Sequence, residues 1–130
     1  LLNTVVTQWL KHSFDHDRPA RVLSEHALPF VEGVKLYYHH GFPSGHTSAA
    51  FCLYATLAFF AIRKQTGLMY FFVALLVGFS RIYLLQHFLE DVLFGATIGT
   101  LSAMVVYSIT AGIPPLSRSA WNRSLRDLFS

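Results

Sequence analysis

Charge is scarce in this 130-residue chain: Asp, Glu, Lys and Arg make up 13% of it, and hydrophobic residues 53%. A typical soluble domain carries about twice that share of charge. A water-facing surface is therefore excluded over most of the molecule, and the composition places the chain in a bilayer. Cysteine is nearly absent. The single Cys52 allows no internal disulfide, and its neighbours Phe51 and Leu53 suit a packing role. The ten Lys and Arg, against seven Asp and Glu, give only +3 and are scattered among apolar segments. No basic stripe follows the backbone of a nucleic acid, so nucleic acid is not an expected partner. Low-complexity linkers, charge blocks and fixed-period repeats are also lacking, which makes 1–130 a single domain.

What the chain does have is long apolar runs. Crossing about 30 Å of hydrocarbon takes roughly 20 residues of helix at 1.5 Å each. Three spans are expected, at about 47–62, 68–85 and 88–113, the last ended by Pro114-Pro115. Strands of such length would be abnormal, so the fold class is all-α, a membrane-embedded helical bundle. The opening Leu1 to Leu10 reads as the last turns of a further membrane helix, and the chain is expected to be a fragment whose earlier helices precede it. Arg63, Lys64, Arg118, Arg123 and Arg126 fall on one side of this threading, and Arg21 and Lys35 on the other. The positive-inside tendency turns the first group to the cytoplasm.

That threading gathers three polar clusters at the non-cytoplasmic face. The first is Lys11 with Arg18-Pro19, which in isolation reads as an interfacial anchor of a membrane helix. The second, Pro43-Ser44-Gly45-His46, lies where a loop turns into an apolar helix. Ser44 or Thr47 would serve there as a helix cap, and the same turn would aim N–H groups and the helix dipole at an anion, with Gly45 permitting close approach. The third is Ser80-Arg81 followed by His87 and Asp91. The last two, four residues apart, are expected to stack on one helix face so that the carboxylate receives an imidazole N–H. A helix cap by Glu90 or Asp91 is the simpler use of that carboxylate. Arg81, at the end of an apolar run, needs an anionic partner, and phosphate suits a guanidinium.

Lys11, six residues, Arg18-Pro19; then Pro43-Ser44-Gly45-His46; then Ser80-Arg81, five residues, His87, three residues, Asp91: this pattern resembles the signature of the type 2 phosphatidic acid phosphatase superfamily, which includes class A acid phosphatases and vanadium haloperoxidases. The resemblance covers residues 11 to 91 directly, and the helix after Asp91 fits the family's last core helix. It implies the vanadium-chloroperoxidase/acid-phosphatase-like helical core, of which the first two helices and most of the third are expected to lie outside this chain. It also implies roles. His87 would be the nucleophile that forms a phosphohistidine, Asp91 would orient it, and His46 would act as general acid and then base. Lys11, Arg18, Arg81, Ser44 and Gly45 would hold the phosphoryl oxygens. No metal and no cofactor is expected, the three cations supplying the charge.

The function implied is hydrolysis of a lipid phosphate or diphosphate, of the undecaprenyl diphosphate, phosphatidic acid or phosphatidylglycerol phosphate type, in the cell inner membrane. Three rivals accompany it: phosphotransfer to another lipid through the same intermediate, a non-catalytic lipid-binding or transport protein, and a vanadium haloperoxidase, against which the membrane spans count. The other histidines, His12, His16, His26, His39 and His40, offer only a sketch of a metal site, because adjacent histidines point apart and no Cys or carboxylate completes a set. The stretch 20–42, with Leu28, Phe30, Val31 and Tyr37-Tyr38, is expected to be an extramembrane loop at the interface that shapes lipid entry.

Overall fold

A computed structural model describes residues 1–14, 16–23, 31, 33, 35 and 37–111. Five helices follow one another, and no strand occurs among the described residues. They are α1 (Leu2–Ser13), the single turn α2 (Pro19–Val22), α3 (Gly45–Phe60), α4 (Lys64–Tyr83) and α5 (Leu89–Ala111). Pro114-Pro115, the basic residues Arg118, Arg123 and Arg126, His26, and Leu28 and Phe30 of the 20–42 stretch lie outside the described residues.

The long helices fall close to the expected spans, α3 and α4 shifted towards the N-terminus by two to four residues and α5 starting one residue later than expected. Helices α4 and α5 are long and apolar enough to cross a bilayer, with 20 and 23 residues. Helix α3 has 16 residues, about 24 Å at 1.5 Å per residue, and is shorter than a full crossing. Polar residues are few in α4, and Leu68, Met69, Phe72, Leu76 and Phe79 stand exposed along it. Such an array in water would be a large exposed apolar patch; against lipid it costs nothing.

The core lies between α3 and α5, the most extensively packed pair. Lipid gives helices no hydrophobic reason to associate, so close van der Waals contact must hold them, and small residues make it possible. Gly95 and Gly99 supply it. A Cβ on Gly95 would stand 2.6 Å from the Ser44 carbonyl oxygen, and one on Gly99 closer still to that of Ser48. Thr47, Ser48 and Ala50 on α3, with Ser102 and Ala103 on α5, are buried along this seam. At the far end Tyr107 closes it against Phe59 and Phe60, with ring centroids 5.1 and 5.5 Å apart. Helix α1 is tied on by polar contacts. The Ser48 hydroxyl donates to Asn3 Oδ1 (2.6 Å) and lies 3.3 Å from Thr7 Oγ1.

Candidate active site

The C-terminal ends of α1 and α4 and the N-terminal ends of α3 and α5 meet at one end of the bundle. Ser44 occupies the N-cap position of α3, but its hydroxyl caps no backbone N–H; it pairs with Thr47 Oγ1 at 2.9 Å. The first turn of α3 is left without a side-chain cap, and its dipole faces the site. The Ser44 amide donates to the Asp91 carbonyl (3.0 Å), which fixes the start of α3 to the start of α5. Lys11 enters from the last turn of α1 and is half-buried; a Cβ on Gly45 would be 3.6 Å from its Nζ. The amine therefore stands directly over that open turn.

Arg18 is buried, at 8% exposure, and its guanidinium is a clasp. Nε donates to the His39 carbonyl (2.8 Å), Nη1 to that of Gln86 (3.1 Å) and Nη2 to that of His40 (3.3 Å). Its own amide donates to the Tyr38 carbonyl, and the Gly41 amide to that of His16. The 16–18 and 38–41 stretches are thereby joined through their backbones. A guanidinium has five N–H donors, so among the described residues one N–H on each terminal nitrogen is left for another acceptor. The Tyr37 ring lies 5.3 Å from the guanidinium carbon, where its negative face favours the cation. This fastens part of the stretch expected to be an interfacial loop.

Arg81, in the last turn of α4, donates from Nη1 to Gln86 Oε1 (3.1 Å) and from Nε to the Ser80 hydroxyl (3.2 Å). Gln86 thus serves both arginines, Arg81 through its side chain and Arg18 through its carbonyl. Leu85 before it has a left-handed φ of 54°, a conformation that costs a non-glycine residue about 1 kcal/mol. It turns the chain sharply enough to present Gln86 and His87 inward.

His87 departs from the sequence expectation in one respect. It does not share a helix with Asp91, because α5 begins only at Leu89. The Asp91 carboxylate itself sets that start: Oδ2 accepts the Phe88 N–H at 2.9 Å, half of a capping box. Capping and orientation are combined in one carboxylate. His87 Nδ1 lies 3.6 Å from the same Oδ2, with side-chain exposures of 2% and 0%. His87 Nδ1 and Asp91 Oδ1 are both buried without a hydrogen-bond partner among the described residues. Burial holds the His87 imidazole below its ordinary value of 6.5, outweighing the opposing pull of Asp91, while Arg18 and Lys11 push the same way as burial. Burial thus favours the neutral imidazole, with Nδ1 on the side of Asp91 and Nε2 facing away from it.

His46, in the first turn of α3, is exposed, and the charges of Arg81, Lys11 and Arg18 reach it, as does His87. All eight residues singled out in the sequence thus converge on one end of the bundle. Two neighbours were not among them. His16 points Nδ1 at Asp91 Oδ1 (3.6 Å) and Nε2 at Glu90 Oε1 (3.5 Å). Gln86 is the other; its signal was a lone amide between Arg81 and His87 in an apolar stretch. The metal sketch from His39 and His40 does not assemble. His39 Nδ1 faces Arg21 Nη1 at 3.0 Å, while the His40 ring lies 6.2 Å from that of His12.

Three cations, two imidazoles and a buried carboxylate thus meet around an uncapped helix start, in a helical bundle of which two helices are long and apolar enough to cross a bilayer. The chain belongs to the PAP2 superfamily, whose family model matches residues 1–113. It is 33% identical over 115 residues to phosphatidylglycerophosphatase B of Bacillus subtilis (strain 168), which covers 82% of this chain and 50% of that one. It is 32% identical over 130 residues to the lipid A 4'-phosphatase of Porphyromonas gingivalis, covering 93% and 52%. The fold matches the crystal structure of Aquifex aeolicus LpxE with a TM-score of 0.70 and 33% identity, over 82% of this chain and 61% of that chain. The chain spans about half the length of the curated relatives it matches.

Proposed function

We propose that the protein of which this chain is part hydrolyses the phosphate or diphosphate of a membrane lipid through a phosphohistidine on His87. The observation that carries the reading is the buried His87, with Asp91 at Nδ1, the charges of Arg18 and Lys11 acting on it, and Arg81 bonded to the adjacent Gln86. Its Nε2 attacks phosphorus as the bond from phosphorus to the leaving oxygen breaks. His46 gives its proton to that oxygen, then takes one from the water that attacks phosphorus as the phosphorus–nitrogen bond breaks, releasing inorganic phosphate and neutral His87. Asp91 keeps the proton on Nδ1 and stabilises the developing positive charge, as in a hydrolase triad. The remaining N–H groups of Arg18, with Arg81, Lys11 and the first turn of α3, hold the phosphoryl oxygens where charge accumulates.

The relatives named for phosphatidylglycerophosphate and lipid A favour a lipid as the substrate. Arg63 and Lys64, at the turn between α3 and α4 and so at the end opposite the site, favour a site on the non-cytoplasmic face of the inner membrane. The test is phosphate release by the full-length protein in detergent from a panel of lipid phosphates and diphosphates, with a chelator present and a His87→Ala control. Release that survives the chelator and disappears in the variant is the expected result. Release that persists in His87→Ala removes the phosphohistidine, and release that stops with the chelator removes metal independence.

A further inference from the structure

The two oxygens of the buried Asp91 carboxylate are supplied unevenly. Oδ2 accepts the Phe88 N–H and stands 3.6 Å from His87 Nδ1. Oδ1 is buried and makes no hydrogen bond among the described residues. A carboxylate oxygen left bare inside a protein costs stability. Lys11 and Arg18 act on Asp91 through their charges, but Arg18 turns Nε and both terminal nitrogens to backbone carbonyls. The fold brings the imidazole of His16 to Oδ1, with Nδ1 3.6 Å away.

His16 is held there from several sides. Its carbonyl accepts the Gly41 N–H at 2.7 Å. Its ring meets those of Phe42 and Phe88 edge to face, with centroids 6.3 Å from each. Its Nε2 lies 3.5 Å from Glu90 Oε1. Carboxylate oxygens only accept, so a proton on Nδ1 serves Asp91 and one on Nε2 serves Glu90. Glu90, His16, Asp91 and His87 thus form a row of alternating carboxylates and imidazoles across the start of α5. His16 also belongs to the 16–18 stretch that carries Arg18, whose backbone is joined to the 38–41 stretch.

Resting on the phosphohistidine reading, Asp91 has to keep one orientation while positive charge develops on His87. We propose that His16 is a positioning residue for Asp91: its Nδ1–H engages Oδ1, leaving Oδ2 to the helix cap and to His87, while Glu90 holds the far nitrogen of the ring. In this role His16 touches no reacting atom and acts through Asp91. It couples the stretch that bears a phosphate-holding arginine to the carboxylate behind the nucleophile.

The test is steady-state phosphate release by the full-length protein in detergent, with phosphatidylglycerol phosphate and a prenyl diphosphate as probes and unfolding temperature measured on the same preparations. His16→Phe, whose ring suits the place between Phe42 and Phe88, should lower kcat about tenfold, the worth of one hydrogen bond to a charged group, and leave KM within about twofold. His16→Asn sets an amide nitrogen near the position of Nδ1 and should restore most of kcat. His16→Gln, whose amide reaches the position of Nε2, should not. In an Asp91→Asn background His16→Phe should lower kcat no further, because both changes disable one coupled unit. Glu90→Gln should give a smaller loss that also vanishes with Asp91→Asn, and it carries the test if His16→Phe does not fold. Unchanged kcat in both His16→Phe and Glu90→Gln, equal loss in His16→Asn and His16→Phe, or losses that multiply in the Asp91→Asn background overturn the role of His16 while the phosphatase reading stands. No release from either probe by the wild type, or release that persists in His87→Ala, overturns both.

Discussion

The Asp91 Oδ2 atom accepts the Phe88 N–H at 2.9 Å while standing 3.6 Å from His87 Nδ1. One oxygen thus sets where α5 starts and which way the imidazole faces. The two uses can be separated, because an amide oxygen still accepts the cap but cannot stabilise an imidazolium. Asp91→Asn is expected to keep the melting temperature in detergent within a few degrees while lowering kcat on the order of 10³- to 10⁴-fold. Asp91→Ala should lose activity and also about 1 kcal/mol of stability with the cap. Equal activity of Asp91→Asn and wild type would remove Asp91 from the mechanism.

Because burial lowers the His87 imidazole, its acid limb should fall below pH 6.5 in the kcat/KM profile. Burial and the charges of Arg81, Lys11 and Arg18 lower His46 as well. The opposite limb, set by this acid, should therefore also fall below its ordinary value, and the bell should be narrow and displaced to low pH. A rate that rises or falls monotonically across the range contradicts this division of labour. The stability sign follows from the same shift. Unfolded His87 protonates at its ordinary value and folded His87 only at lower pH, so the unfolded chain binds more protons as pH falls below 6.5. Stability should drop through that window, and His87→Gln should flatten the dependence in thermal unfolding at stepped pH.

Gln86 predicts a smaller effect. Gln86→Leu removes the acceptor of Arg81 Nη1 but leaves the backbone carbonyl that Arg18 uses. Loss of one hydrogen bond to a charged group corresponds to roughly tenfold in kcat/KM. Restoration by Gln86→Glu, which offers a carboxylate oxygen at the same place, would identify positioning of Arg81 as the cause.

Arg18→Lys keeps the charge and discards the geometry. An ammonium cannot reach three carbonyls spread over His39, His40 and Gln86. The variant should lose at least about 2 kcal/mol of stability together with most of its phosphate release. A variant as stable as the wild type would show that the 16–18 and 38–41 stretches are held by other contacts.

How far the sequence could be read depends on what kind of atom does the work. Lys11, Ser44, Arg81, His87 and Asp91 were legible as polar side chains at fixed spacing among apolar runs, and the structure brings them to one end of the bundle. The all-helical fold was legible in the apolar runs. The clasp on Arg18 was not, because carbonyls of His39, His40 and Gln86 are acceptors that any residue provides. The start of α5 was expected at about 88 and lies at Leu89; what the four-residue spacing did not reveal is that His87 stands before the helix, because the Asp91 side chain caps it at Phe88. His16 was passed over among five unassigned histidines, since its neighbours Glu90 and Asp91 are some seventy positions away in sequence. Gly95 and Gly99 were visible as a four-residue repeat of small residues, and only the partner helix reveals their use.

Those two glycines yield one more expectation. Gly95→Ala must push the Ser44 carbonyl away and should cost about 1–3 kcal/mol. It should also lower phosphate release, because Ser44 is bonded through its amide to Asp91. Gly99→Ala crowds Ser48 one turn deeper and should destabilise comparably with a smaller effect on rate. Unfolding temperature and kcat measured on the same preparations separate the two.

The amide of Ser44 on the carbonyl of Asp91 makes the proposed anion cradle and the proposed proton-handling pair a single jointed piece. Grafting either helix alone onto another bundle would carry half a tool. A designer moving this chemistry to a new scaffold must transplant α3 and α5 together, with their two glycines in register.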